Sequence, residues 1–312
     1  MGLNRHHFFW LTLLGITLML SSFSFQLYKA FDARWIIRFP KKYELPTEKW
    51  ISAFLDWLVD SANFYFFTFR DITRAIASLI EWPYQFLRNL LIEGFQSGLG
   101  DQAVQYAPSL SWVAVITVVV AISYYASDWR LGTLTCACFA YLAVFGQWQS
   151  AMVTLASVLI AVPIGALGGL FLGIIAYKSR IVENCLRPIL DLMQTVPVFA
   201  YLVPVLILFG FGPVAALVAT VIYAMPPMVR VTIVALKTVP EEIKEAGKMV
   251  GCTDRQMMWK VLVPSASSSL MVGVNQVIML TLNMVIIASM IGAGGLGFDV
   301  LASLRRLDIG GG

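Results

Sequence analysis

Residues 245–264 read Glu-Ala-Gly-Lys-Met-Val-Gly-Cys-Thr-Asp-Arg-Gln-Met-Met-Trp-Lys-Val-Leu-Val-Pro, a polar island between two long apolar stretches. Just upstream, Thr238-Val239-Pro240-Glu241 carries a hydroxyl residue, a glutamate three positions on and a proline in the first turn, a helix-start pattern. The spacing predicts a helix to about Val250, ended at Gly251, where a residue without a Cβ suits a left-handed cap. Thr253 and Gln256 predict a second short helix, and Pro264 predicts the break before the next apolar stretch. The expected product is a compact helix–turn–helix unit, with Ala246 and Gly247 offering a small surface.

The surrounding chain explains why such an island stands out. Of its 312 residues 59% are apolar and only 13% charged, with a mean hydropathy of +0.77. Soluble domains carry roughly a quarter charged residues, so most of this chain is solvated by lipid. The net charge of +4 is small and the basic residues form no dense cluster, which argues against nucleic-acid binding. Only His6 and His7 supply imidazole, so a His-rich metal site or a Ser-His-Asp arrangement deeper in the chain is excluded. Cys136 and Cys138 lie in an apolar segment on different sides of a helix and read as small core residues, not ligands.

Arg5 precedes an apolar run from about 8 to 28, long enough to cross a bilayer. Ser22-Phe23-Ser24 is a poor match to a small-x-small cleavage site, so a retained N-terminal transmembrane anchor over 1–28 is expected. Residues 29–107 differ, with nine Lys/Arg balanced by nine Asp/Glu. Within them Ile72, Ala75, Ile76, Leu79 and Ile80 share one helix face, and Phe86, Leu87, Leu90 and Leu91 repeat the pattern after Pro83. These predict short amphipathic helices on the membrane surface or against the outer side of the molecule. From 108 to 312 further spans are expected at about 108–127, 131–148, 150–177, 189–211, 213–236 and 265–291, about seven in all. The stretch 131–177 holds no charged residue, which suits helices in lipid that satisfy their own backbone. The fold class is therefore an all-α polytopic membrane protein.

Threading the spans alternately puts Arg5, Arg130, Lys178, Arg180, Arg187, Lys237, Lys244, Lys248, Arg255 and Lys260 on one side, while the short loops near Gln147 and Gly212 have no basic residue. Basic residues in short loops mark the cytoplasm, so the N-terminus and the 237–264 loop are expected there. Gly165, Gly169 and Gly173 recur on one face and predict close helix packing. Pro163, Pro197, Pro204, Pro226 and Pro227 predict kinks or breaks.

Glu245, Ala246, Gly251 and Pro264 are spaced like the E-A-A-x3-G-x9-I-x-L-P loop of ABC importer membrane subunits, with Gly247 in place of the second alanine. From about 150 to 309 the chain resembles the permease subunits of glycine betaine/proline-type ABC importers. The resemblance rests further on Asp191-Leu192-Met193-Gln194-Thr195-Val196-Pro197, Tyr201-Leu202-Val203-Pro204, Gly273-Val274-Asn275-Gln276, the run 284–291, Gly294-Gly295-Leu296-Gly297 and Arg306-Leu307-Asp308. It implies a type I importer fold, with two permease subunits (two copies, or this chain and a related one), two cytoplasmic ATPases and a substrate-binding protein outside. Glu245, Ala246, Gly247, Gly251 and Pro264 would then couple to the ATPase. The substrate would be glycine betaine, proline betaine, choline or a related compatible solute, with another small solute such as an amino acid as the alternative. Members of the family it resembles continue into one more membrane helix, whereas this sequence stops at Gly310-Gly311-Gly312; the expected alternatives are a final helix supplied by a separate chain, a cut sequence, or a truncated subunit.

The chain has no G-x-x-x-x-G-K-S/T motif, so it does not cradle ATP by that loop, and ATP and magnesium are expected on the partner ATPase. Gly292-Ala293-Gly294-Gly295-Leu296-Gly297 fits G-x-G-x-x-G, but it follows a membrane helix, not a strand, and reads as a tight turn. Gln276, Asn283 and Met290 sit seven residues apart on one helix face, with Met279 nearby. Amides inside a span are costly against lipid and are expected to face the protein interior, either lining a pathway or bonding to neighbouring helices. A methylated ammonium has no N–H and is held by aromatic faces, which makes Phe199 and Tyr201, beside Pro197 and after Gln194, the candidates for transient contact. A membrane enzyme or a passive osmolyte channel finds no clustered carboxylates or charged ring in the spans.

Overall fold

The apolar stretches are built on helix, as the composition demands. The structure, a computed structural model, describes residues 5–31, 45–57, 63–64, 67–97 and 104–307. The chain separates into two compact units, 1–61 and 62–312. The first holds α1 (Arg5–Phe31) and α2 (Thr47–Asp56). The side chains of Phe9–Gln26 in α1 are unburied, and its 27 residues are long and apolar enough to cross a membrane.

The second unit opens with two-residue strands β1 (Asn63–Phe64) and β2 (Phe67–Thr68), then α3 (Phe69–Arg88) and a wide π-type turn, Asn89–Glu93. Strands β3 (Phe95–Ser97) and β4 (Val104–Ala107) pair antiparallel with a bulge between Phe95 and Gln96. The helices α4 (Trp112–Ala126), α5 (Trp129–Val144), α6 (Trp148–Lys178), α7 (Arg180–Thr195), α8 (Val198–Phe209) and α9 (Pro213–Lys237) follow. The polar island contributes α10 (Glu241–Met249), α11 (Asp254–Gln256), a π-type turn at Met257–Leu262 and α12 (Val263–Ser265). The chain then forms α13 (Ser267–Ala288), a wide turn at Ser289–Ala293 and α14 (Leu296–Arg306).

Of the seven expected spans, α1, α6, α9 and α13 are long and apolar enough individually. Helices α4 and α5, with 15 and 16 residues, reach roughly 22–24 Å at about 1.5 Å per residue, short of a hydrocarbon core of about 30 Å. The expected span 189–211 is not one helix: α7 and α8 meet at a bend of 108° at Val196-Pro197. The proline explains the break, because it disfavours helical backbone at the residue before it. Val196 is accordingly extended, at φ −72°, ψ 131°.

The 29–107 expectations need two corrections. Pro83 does not separate two helices; it lies within α3, which buried Ile80 and Tyr84 hold inward on both sides of it. A capping box between Thr68 and Asp71 starts this helix. Of its predicted apolar face, Ile72, Ala75, Ile76 and Leu79 are exposed and Ile80 is buried; α3 packs on α6, α8 and α9 through the adjoining side, where Thr73, Ile80 and Tyr84 are buried. The hairpins were not foreseen, since strands of two to four residues carry too little periodicity to read.

Helix α9 is the centre of this unit, with 61% of its membrane window buried against 33% for α6 and α13, which pack on it. The glycine stripe makes this approach possible. A Cβ on Gly169 would lie 2.6 Å from Met228 Cβ, and one on Gly173 2.5 Å from Thr232 Cβ, so α6 meets α9 almost backbone to backbone. Gly273 of α13 faces Met228 Sδ and Val231 in the same way. Lipid tails are as apolar as leucine, so such contacts, not water exclusion, hold these helices together. Cys136 and Cys138, expected in the core, are exposed on α5, because few neighbours cover that short helix.

Candidate functional site

The polar island folds as the predicted helix–turn–helix unit, with one change at its start. Thr238 does not cap α10. It ends α9, where its hydroxyl donates to the carbonyls of Val234 at 3.0 Å and Ala235 at 3.1 Å. Pro240 occupies the cap of α10 without a side-chain bond, and Glu241 and Glu242 put negative charge in the first turn, where the helix dipole favours it. Lys244 Nζ lies 2.8 Å from Glu241 Oε1. That hydrogen-bonded ammonium holds the Glu241 carboxyl below its usual range, and the carboxylate raises the Lys244 ammonium.

Helix α10 ends in a Schellman motif. Gly251 has φ +81°, its N–H donates to Lys248 O at 2.9 Å, and the Cys252 N–H donates to Gly247 O at 3.1 Å. The second helix starts with the expected capping box: the Thr253 N–H donates to Gln256 Oε1 at 2.9 Å, and the Gln256 N–H donates to Thr253 Oγ1. Pro264 does not break the chain before α13. Helix runs through it, and the widened turn at Met257–Leu262 relieves the crowding a proline ring brings to the preceding turn; the interruption falls at Ala266.

The surface of the unit also differs from expectation. Gly247 is buried, and a Cβ there would meet Met257 Cε at 2.7 Å, so this glycine joins the two helices of the unit. Glu245 and Ala246 are exposed, with Gly251 at the tip. Beside them Met249 and Val250 are 82% and 84% exposed, an apolar tip whose outward direction the sequence pattern did not reveal. Met258 and Leu262 are buried with Leu236, Val239, Ala266 and Leu270, which fuses the base of the unit to α9 and α13. The result is a solid knob on the helical core.

The pathway candidates fall into two groups. Gln194 and Phe199 flank the 196–197 break and are exposed, while Tyr201 is half-buried. The Tyr201 hydroxyl donates to the Met193 carbonyl across that break, and its ring meets Tyr223 edge-on at 5.6 Å between centroids. Tyr201 thus clasps the bend. Gln276 and Asn283 do not face the interior of this chain: both are exposed on α13 and make no hydrogen bond among the described residues, with exposed Met279 between them and Met290 half-buried. The adjoining side of α13 is the one used for packing, through Gly273, Val277, Thr281 and Met284. None of the candidates lines the cavity of about 710 Å³ between Leu91, Leu110, Trp112, Val144 and Trp148. The glycine run after α13 is a tight turn as expected: a Cβ on Gly297 would lie 2.1 Å from Ile286 O, and the Leu296 N–H donates to Thr154 Oγ1 at 3.1 Å.

One charged cluster was not anticipated. Glu183 of α7 is only 5% exposed, and its carboxylate takes Lys237 Nζ at 2.6 and 2.7 Å and Arg187 at 2.6 Å. Further along, Asp191 pairs with Arg230. The Glu183–Arg187 spacing of four was the available signal, but nothing in sequence links either residue to Lys237.

The profile of the family described as "Binding-protein-dependent transport system inner membrane component" matches residues 165–311, which covers the knob and the helices around it. The glycine betaine transport system permease protein of Bacillus subtilis is 34% identical over 267 residues, 85% of this chain and 86% of that protein. The chain belongs to this family of inner membrane components. The glycine betaine/proline betaine permease protein of Escherichia coli is 37% identical to this inner membrane component over 85% of the chain and 69% of that protein. A trimethylamine N-oxide permease protein of Pelagibacter ubique is 39% identical over 77% of the chain but only 35% of that protein. The chain thus spans less than half the length of the trimethylamine N-oxide permeases it matches. Family and apolar helices together make it a multi-pass inner membrane protein.

Proposed function

We propose that this permease is the membrane-spanning subunit of an ATP-driven importer for glycine betaine, proline betaine, choline or a related compatible solute. The 237–264 knob is the docking surface of a cytoplasmic ATPase, which binds the ATP and magnesium. One observation carries this reading: a capped helix–turn–helix unit presents Glu245, Ala246, Met249 and Val250 outward while its base is fused to α9 and α13. A motor that closes on such a knob moves the helices beneath it, whereas a loose loop would absorb the stroke. The basic residues of the short loops support a cytoplasmic N-terminus and knob.

A substrate-binding protein delivers solute on the outer side, and a second permease chain covers the open face of α13. Exposed amides at Gln276 and Asn283 are unfavourable against lipid, so this face belongs against a partner chain or a watered passage. Phe199 and Tyr201, with Gln194, line the passage near the 196–197 break.

The test is co-expression with the ATPase and binding protein of the same system, followed by co-purification and uptake of radiolabelled glycine betaine into proteoliposomes. Choline, proline, an amino-acid panel and trimethylamine N-oxide serve as competitors. ATP-dependent uptake that requires the binding protein is expected. Uptake that persists without ATP would identify a passive channel instead, and competition only by amino acids would move the substrate class.

A further inference from the structure

Helix α7 is held at two points along one side of α9. At the first, the buried Glu183 carboxylate bonds to Lys237, the last residue of α9 before the knob. At the second, Asp191 pairs with Arg230. From Glu183 to Asp191 is roughly 12 Å of helix and from Arg230 to Lys237 roughly 10 Å, at about 1.5 Å per residue. The pairs therefore stay in step on antiparallel helices. Between them Leu190, Val229 and Ile233 are buried together with Ala176, so the seam is dry as well as charged at its ends.

The position of α7 gives this brace a direction. Its N-terminus follows α6 after the single residue Ser179, and its C-terminus leads into the bend of 108° that Tyr201 clasps to Met193. The Glu183 carboxylate is shielded from solvent and shared by two half-exposed to exposed cations, so its loss removes two short ion pairs at once and unties α7 from Lys237. A displacement of the knob base is thus passed to α7 rather than lost at Lys237.

We propose that Glu183 is a positioning residue that braces α7 to the base of the knob and so transmits knob movement to the 196–197 break. The proposal rests on the reading of the knob as an ATPase docking surface. Glu183 touches neither ATPase nor solute in this role. It sets how much helix travels with the knob.

The experiment uses the whole importer, reconstituted with its ATPase and binding protein, and measures ATP hydrolysis and glycine betaine uptake in the same vesicles. Glu183→Gln is expected to leave ATP hydrolysis within about twofold while uptake falls by about tenfold or more, the size of a typical coupling between sites. The ATP consumed per solute therefore rises, which a merely structural defect does not produce. Lys237→Arg keeps the pair and is expected to transport normally, whereas Lys237→Met behaves as Glu183→Gln. Should Glu183→Gln fail to assemble, Asp191→Asn removes the exposed second pair without burying a charge and is expected to raise the same ratio. Hydrolysis and uptake falling in equal proportion in these variants, or neither changing, overturns the brace. If the unsubstituted complex shows no ATP-driven uptake, the docking reading itself fails and takes the brace with it.

Discussion

Gly251 offers a sharp test of the knob, because the structure separates two reasons for a glycine. A Cβ there meets no obstacle: nothing lies within 4 Å of one built on it. What the position demands is its backbone, at φ +81°, which lets the Gly251 and Cys252 N–H groups reach the carbonyls of Lys248 and Gly247. A left-handed conformation costs an L-residue about 1–2 kcal/mol, less for asparagine, and more for a β-branched residue. A penalty of one or two kcal/mol changes a two-state population by roughly 5–30-fold. Replacing Gly251 by Asn, Ala and Val should therefore lower the docking-competent population in that order, although asparagine is larger than alanine. The assay is the fraction of ATPase subunit that co-purifies with each variant, read beside ATP-driven uptake. Thermal stability of the α6–α9–α13 core should stay level, since Gly251 touches none of it. If Ala is tolerated better than Asn, size and not backbone governs the position. If Val matches the unsubstituted chain, the knob does not need this turn and its docking role falls.

Other expectations follow from the same geometry. Gly173→Ala places a methyl 2.5 Å from Thr232 Cβ and 3.0 Å from Val229 O, atoms that cannot swing aside. Overpacking of this kind costs about 1–3 kcal/mol, read as a lowered melting temperature in detergent. Gly168→Ala meets chiefly the flexible Met225 Cε at 2.9 Å and should melt nearly as the unsubstituted chain; equal losses for the two would refute the close α6–α9 approach. Gly247→Ala likewise meets the movable end of Met257 and should keep ATPase binding, whereas Gly247→Leu should lose it. Asn283→Leu should cut uptake or weaken pairing of two permease chains, detected by transport and by cross-linking, and no change in either would remove α13 from both roles. Finally, Glu241 is held below its usual pKa by Lys244, so its stabilising contribution is present above the unfolded carboxylate value and fades as pH falls through the lower folded one. The stability gap between the unsubstituted chain and Glu241→Gln should accordingly close in acid, measured by thermal unfolding at neutral and acid pH.

Local chemistry was legible in the sequence wherever it acts over a few residues. The Thr253–Gln256 box, the stop at Gly251, the glycine stripe of α6 and the break at Pro197 each follow from one or two side chains and the backbone they permit. Thr238 shows the limit of such patterns. Its spacing to Glu241 is that of a cap, but the preceding helix reaches it first and its hydroxyl turns back to Val234 and Ala235. Pro83 and Pro264 show the same limit from the other side, since buried neighbours or a widened turn carried the helix through them.

What the sequence did not disclose is which face of each element meets another. Periodicity assigned Ile72, Ala75, Ile76, Leu79 and Ile80 one face of α3, yet of these only Ile80 is buried, beside Tyr84. The amides of α13 were expected inward by the cost of polar groups in lipid, and they point away from their own chain. The same cost still applies, and in the proposed importer it is met by a second permease chain or a watered passage against Gln276 and Asn283. Glu183 carries the complementary lesson. A carboxylate buried at the foot of an apolar bundle is unaffordable by itself, and only the fold brings Lys237, 54 positions away, to within 2.6 Å of it. Residues that link the knob to the membrane helices are therefore paired across long sequence distances, where spacing holds no signal and charge balance becomes visible only in three dimensions.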